Sequence, residues 1–95
     1  MIRILYDGES TVSVYGHAGS DQKGRDLVCA AVTALVLTLS ESCRECRLRP
    51  GYAYLSGGSQ EVFRAMGLGF ALLAEMNPRC VRYERRGGLE NRTRL

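Results

Sequence analysis

The chain holds one histidine, His17, and four cysteines, Cys29, Cys43, Cys46 and Cys80. His17 and Cys29 share one stretch, GHAGSDQKGRDLVCAAVT from Gly16 to Thr33, with glycines at 16, 19 and 24 and an acidic residue, Asp26, where an apolar run begins. A thiolate attacks a carbonyl carbon once a base has taken its proton, and an imidazole can accept that proton and later return it to a leaving amine. The chemistry within reach is therefore acyl transfer, and peptide hydrolysis when water is the final acceptor. The same two residues also fit a blander assignment. A free thiol is among the most buried residue types, and a histidine beside glycine is an ordinary loop residue.

Asp26 reads either as the N-cap of the helix that follows or as the group that orients the imidazole. As N-cap it puts Cys29 at the third helical position, where unpaired backbone N–H groups and the positive end of the helix dipole favour thiolate. Its own negative charge works against that bias. The same N–H groups can hold a developing oxyanion. Gly16, Gly19 and Gly24 mark the intervening loop as a mobile segment able to approach a substrate backbone or close over it.

The elements that must position these groups follow from periodicity. Ile2, Ile4 and Tyr6 alternate with more exposed types, Asp7-Gly8 signals a turn, and Thr11 to Tyr15 is a β-branched run, so the chain opens with a hairpin. A helix follows from Leu27 into the low forties, extending as far as Arg47. It is apolar nearly all round at first and so is expected to be buried on most sides. Pro50-Gly51 stops it and Tyr52 to Ser56 reads as a third strand. Ser59 caps a second helix carrying Val62, Met66, Phe70 and Leu73 at helical spacing. Gly67 and Gly69 inside that helix predict close packing against the sheet or the first helix. Asn77-Pro78 ends it and Cys80 to Glu84 forms a fourth strand. The order β-β-α-β-α-β gives an α+β two-layer sandwich, a four-stranded sheet with two helices on one face. Residues 1–86 form a single domain and residues 87–95 a charged, flexible tail. The open sheet face makes self-association an expectation.

At 95 residues there is room for one core and one site. The net charge of +3 comes from the end of the chain: residues 1–81 carry eight basic and eight acidic side chains, residues 82–95 five and two. A balanced body excludes a general nucleic-acid-binding surface and leaves the Arg-rich tail as a weak RNA contact. The longest uncharged run, Leu27 to Ser40, has fourteen residues, against about 20 for a membrane span. The N-terminus lacks the pattern of a secretory signal, which places the protein in the reducing cytoplasm with its cysteines as thiols.

The stretch GHAGSDQKGRDLVCAAVT closely resembles the signature of the ribosomal-processing cysteine protease family, Prp: Gly-His-Ala, a variable loop, Gly-x-Asp, and a Val-Cys-Ala-Ala-Val helix start. The resemblance implies a homodimeric cysteine protease with a Cys and His dyad and no metal or organic cofactor. Its substrate would be an N-terminally extended ribosomal protein, large-subunit protein twenty-seven, trimmed during ribosome assembly. Carried across, His17 is the general base, Cys29 the nucleophile, Gly24 and Asp26 the Gly-x-Asp element, and Ala18 to Arg25 the mobile segment. An apolar groove beside Cys29 is expected, because the family's extensions end in aromatic or apolar residues. Thr33 replaces the serine common in the family and keeps its hydroxyl. Cys43 and Cys46 are no part of the signature.

Two other function classes compete. One is a non-catalytic ribosome- or RNA-associated module acting through the loop and the Arg-rich tail. The other is a zinc or thiol-redox protein built on Cys43 and Cys46. Structural zinc usually takes two close cysteine pairs, and redox pairs sit at a helix start, whereas this pair falls near an expected helix end.

Overall fold

The computed structural model describes residues 1–16 and 25–86. Its elements run β1 (Ile2–Tyr6), β2 (Thr11–Tyr15), α1 (Arg25–Ser40), β3 (Glu45–Arg49), β4 (Tyr52–Ser56), α2 (Gln60–Met76) and β5 (Val81–Arg85). The strands form one five-stranded sheet in the order β3-β4-β2-β1-β5. Only the β1–β5 pair is parallel, so the sheet is mixed.

The α+β class and both helices stand as expected, but the sheet has five strands and the order is β-β-α-β-β-α-β, which corrects the four-stranded expectation. The missed strand is β3, whose first residues, to Arg47, the sequence pattern had merged into the end of α1. The helix ends at Ser40 in a tightened turn, in which the Glu41, Ser42 and Cys43 amides bond the Thr38, Leu39 and Ser40 carbonyls, and hydroxyl side chains compete for carbonyls of its last turns. Thr38 Oγ1 donates to the Ala34 carbonyl at 2.7 Å, Ser40 Oγ to Leu37 at 2.6 Å and Ser42 Oγ to Leu39 at 3.0 Å. The Arg44 amide then bonds the Ser56 carbonyl at 3.1 Å, and the β3–β4 ladder begins. Pro50 and Gly51 form its two-residue turn, with Arg49 opposite Tyr52 and Gly51 at φ +74°. Proline fixes the first turn position, and only glycine takes the second without strain.

The sheet alternates as a half-covered sheet should. Ile2, Ile4, Tyr6, Val12, Val14, Ala53, Leu55 and Val81 point to the helices and are buried, while Arg3, Arg82 and Glu84 stay exposed. From α1, Val28, Val32, Val36 and Leu39 complete the core; from α2, Phe63 and Phe70 do, each fully buried. Complete burial of side chains of this size contributes about 1.5–3 kcal/mol each. Val62, Met66 and Leu73 pack around this centre only partly buried, so α2 is rotated toward Phe63 relative to the expected stripe. Nor is α1 buried on most sides. It lies in the outer layer, and its apolar back leaves Leu27 76% exposed.

Gly67 and Gly69 serve close packing. A Cβ on Gly67 would stand 3.3 Å from the Tyr6 ring, and one on Gly69 would stand 2.9 Å from a methyl of Leu35 on α1. One glycine therefore lets α2 approach the sheet and the other lets it approach α1. Ser59 caps α2 as expected, accepting from the Val62 amide at 3.4 Å.

Candidate active site

Along α1, Cys29, Val32, Thr33, Val36 and Leu37 recur at three- and four-residue intervals, which places them on one flank of the helix. That flank forms one wall of a groove of about 310 Å³. The opposite wall comes from the β3–β4 hairpin, through Leu48, Arg49, Gly51, Tyr52 and Ala53. Ile2 and Val14 lie at its base and Gly16 at its rim. Cys29 is half-buried: it packs against the core yet borders the groove. A thiol in that position can meet a ligand, which a fully buried one cannot. The lining is mostly aliphatic, with Arg49 and Thr33 as polar exceptions, so the groove suits an extended apolar segment with a few oriented contacts.

Gly16 follows β2 and directly precedes His17. Its φ is +93°, and a Cβ there would run into the Met1 carbonyl oxygen. Its amide donates to the Gly51 carbonyl at 2.8 Å. Of the three glycines assigned to a mobile loop, this one is an anchor: it fixes where the chain leaves the sheet, at the edge of the groove that Cys29 borders. His17, Gly19 and Gly24 lie outside the described residues, as does the expected mobile segment up to its last residue, Arg25, which begins α1.

The helix start differs from the sequence expectation. With α1 beginning at Arg25, Asp26 is its second residue, not the one before it, and Cys29 is the fifth, not the third. In a helix that starts at Arg25 the last amide without an intrahelical acceptor is that of Leu27, so unpaired donors lie within the turn before Cys29. The sequence did not disclose the hairpin wall of the groove. Leu48 and Arg49 lie on β3, whose first residues, to Arg47, were read as the helix end, and the signal that could have found them is the Pro50-Gly51 turn between two alternating segments, ECRLR and YAYLS.

The remaining cysteines are free thiols in unlike settings. Cys43 follows the end of α1, its Sγ donating to the Leu39 carbonyl at 3.2 Å, while Cys46 is exposed on β3 and Cys80 is half-buried before β5. Burial, and next the neighbouring Cys46 thiol, push the Cys43 pKa up. Among the described residues no three histidine, cysteine or acidic side chains gather as metal ligands. In the Arg-rich end, Arg86 pairs with Glu84 at 3.5 Å and the Arg85 guanidinium lies over the Tyr6 ring; residues 87–95 lie outside the described residues. No helix among the described residues is long and apolar enough to cross a membrane.

The chain is similar to known proteins in sequence and in fold. Residues 1–82 match a family model described as cysteine protease Prp. A crystal structure of SMU.848 from Streptococcus mutans is 26% identical, with a TM-score of 0.71 over 90% of this chain and 92% of that one. An essential ribosomal processing protease Prp from S. aureus, in complex with a covalently linked product peptide, is 18% identical; its TM-score is 0.66, covering 88% of this chain and 96% of that one. The S. aureus protease with a substrate peptide is 16% identical, again with a TM-score of 0.66, covering 88% and 97%. No curated protein matches the chain at a significant level.

Proposed function

Because the chain belongs to the Prp family of cysteine proteases, we propose that Cys29 and His17 are its catalytic dyad and that it removes a short N-terminal extension from large-subunit ribosomal protein twenty-seven. The observation that carries this proposal is the groove itself: an apolar channel bordered by Cys29 on one wall and, at its rim, by the residue that precedes His17. The S. aureus protein of like fold is a ribosomal processing protease solved with product and substrate peptides, which supports the substrate class.

In the proposed reaction the extension lies along the groove, its apolar end against Leu37 and Leu48. His17 takes the Cys29 proton and the thiolate adds to the scissile carbonyl. Unpaired amides at the start of α1 stabilise the resulting oxyanion. His17 returns its proton to the departing amine as the C–N bond breaks, leaving a thioester on Cys29. Water, deprotonated by His17, then releases the extension as a carboxylic acid and restores the thiol. Asp26, the second residue of α1, is the group proposed to orient the His17 imidazole, and Gly19 and Gly24 let the preceding loop move for substrate entry.

We also propose that the protein works in the cytoplasm as a homodimer. The sheet face opposite the helices carries Leu5 and Tyr54, both half-buried on a layer that nothing else covers among the described residues. The test is direct. The purified protein is mixed with the extended ribosomal precursor of the same organism and product masses are read. Cleavage by the wild type, lost in both Cys29→Ala and His17→Ala, is the expected result. Activity retained in either variant refutes the dyad.

A further inference from the structure

Strand register sorts the side chains of the sheet between its two faces. Ile2, Ile4, Val12, Ala53 and Leu55 face the helices, so their neighbours within each strand face outward. On that open face Arg49, Tyr52, Tyr15, Arg3 and Arg82 are successive register partners, one row across all five strands. At about 4.8 Å between strands the row is roughly 19 Å long. Tyr15 and Tyr52 lie within it, their ring centroids 5.4 Å apart and their planes inclined at 51°. Tyr15 is 41% exposed, and the three arginines are exposed as well. The acidic side chains on this face, Glu45 and Glu84, already pair with other arginines, Arg47 at 2.8 Å and Arg86 at 3.5 Å. Arg3, Arg49 and Arg82 form no ion pair among the described residues. Counted along the chain, charges balance as far as residue 81, but the fold sorts them: Glu41, Glu61 and Glu75 lie on or beside the helices, in the other layer. The balanced sum therefore conceals a basic, aromatic face, which corrects the exclusion drawn from net charge.

We infer that this open face binds single-stranded RNA, with bases stacked on Tyr15 and Tyr52 and phosphates held by Arg3, Arg49 and Arg82. Side chains on a strand stand roughly perpendicular to the sheet, so the rings and the guanidinium groups project to the same side. Aromatic rings on a sheet are a platform for unpaired bases, and cations beside them track the backbone. The planar guanidinium fork suits a phosphate. Duplex RNA keeps its bases within its own stack and cannot use the tyrosines, while an acidic polypeptide can meet the arginines but brings no base to stack. Leu5 and Tyr54, proposed above as a contact between copies, adjoin the row on the same face, so RNA and a second copy compete for it.

Fluorescence anisotropy of a labelled oligouridylate of about twelve nucleotides, titrated with the full chain, tests this; single-strand sites span roughly 4–16 nucleotides. Saturable binding is expected, with log affinity falling against log salt at a slope of about −2, from three phosphates at about −0.7 each. Binding should also quench tyrosine emission, which no tryptophan obscures in this chain. Tyr15→Leu keeps an apolar side chain beside Tyr52 and is expected to weaken binding about fivefold or more at every salt concentration. Arg3→Gln combined with Arg82→Gln, both at exposed positions, is expected to bring the slope to about −0.7 and serves alone should Tyr15→Leu fail to fold. Arg49 and Tyr52 are left intact because they also border the Cys29 groove. The inference is overturned by lack of saturable binding, by duplex RNA or polyglutamate binding equally well, or by undiminished affinity in the folded variants, which would assign the RNA to the Arg-rich tail.

Discussion

The Gly16 amide donates a 2.8 Å hydrogen bond to the Gly51 carbonyl, which ties the residue before His17 to the turn of the β3–β4 hairpin. The hairpin is one wall of the groove and Cys29 lies on the other, so a single backbone contact joins the point of departure toward the proposed base to the frame that holds the proposed nucleophile. Gly16→Ala should break it. A Cβ there meets the Met1 carbonyl, and a φ of +93° is strained for alanine. A loss of about 1–3 kcal/mol in urea unfolding is expected, with cleavage falling further than stability.

The groove wall can be tested without touching the dyad. Leu48 is 47% exposed on β3, an edge strand, so Leu48→Asp should leave the fold almost unchanged. It should raise KM for the extended precursor by roughly 10-fold or more with kcat less affected, as expected when an apolar subsite contact is lost. Steady-state kinetics on wild type and variant decide it, and an unchanged KM would place the substrate elsewhere.

Gly67 and Gly69 should respond differently to alanine. At Gly69 the near neighbour is the end of the flexible Leu35 side chain, which can turn aside, so the gain in helix propensity of up to about 1 kcal/mol is retained. At Gly67 the neighbours are the buried Tyr6 ring and the Tyr83 hydroxyl, both at 3.3 Å. Thermal unfolding should show Gly69→Ala neutral or stabilised and Gly67→Ala destabilised, by about 1–3 kcal/mol.

The Cys43 pKa is raised, first by burial and then by Cys46, and a raised thiol pKa means less thiolate at any given pH. At pH 8, iodoacetamide should therefore label exposed Cys46 before Cys43, as peptide mapping after timed quenching would show. The linkage has the same sign. The contribution of Cys43 to stability is complete below its unfolded-state value and is lost as the pH climbs through the higher folded-state value, so Cys43→Ala should flatten the alkaline end of the stability profile.

Much of this molecule was legible before its structure. β2 and β4 were read at their true limits, because Val12 and Val14, and Ala53 and Leu55, alternate cleanly between covered and open faces. The segment 45–49 was not, because every residue of β3 is exposed and Cys43 and Cys46 are spaced like neighbours on a helix. On an edge strand no burial contrast marks the period of two. The same blindness hid Leu48 and Arg49, and with them half of the groove. Cys29 was found by its company, a histidine, glycines and a helix start in one stretch.

The most direct measurement is the intact mass of the protein after rapid acid quench with the extended ribosomal precursor. A transient species is predicted, heavier by the mass of the released extension less one water, with the adduct mapped to Cys29 and lost in His17→Ala. Cleavage without any such species in Cys29→Ala, or an adduct on another residue, would contradict the account.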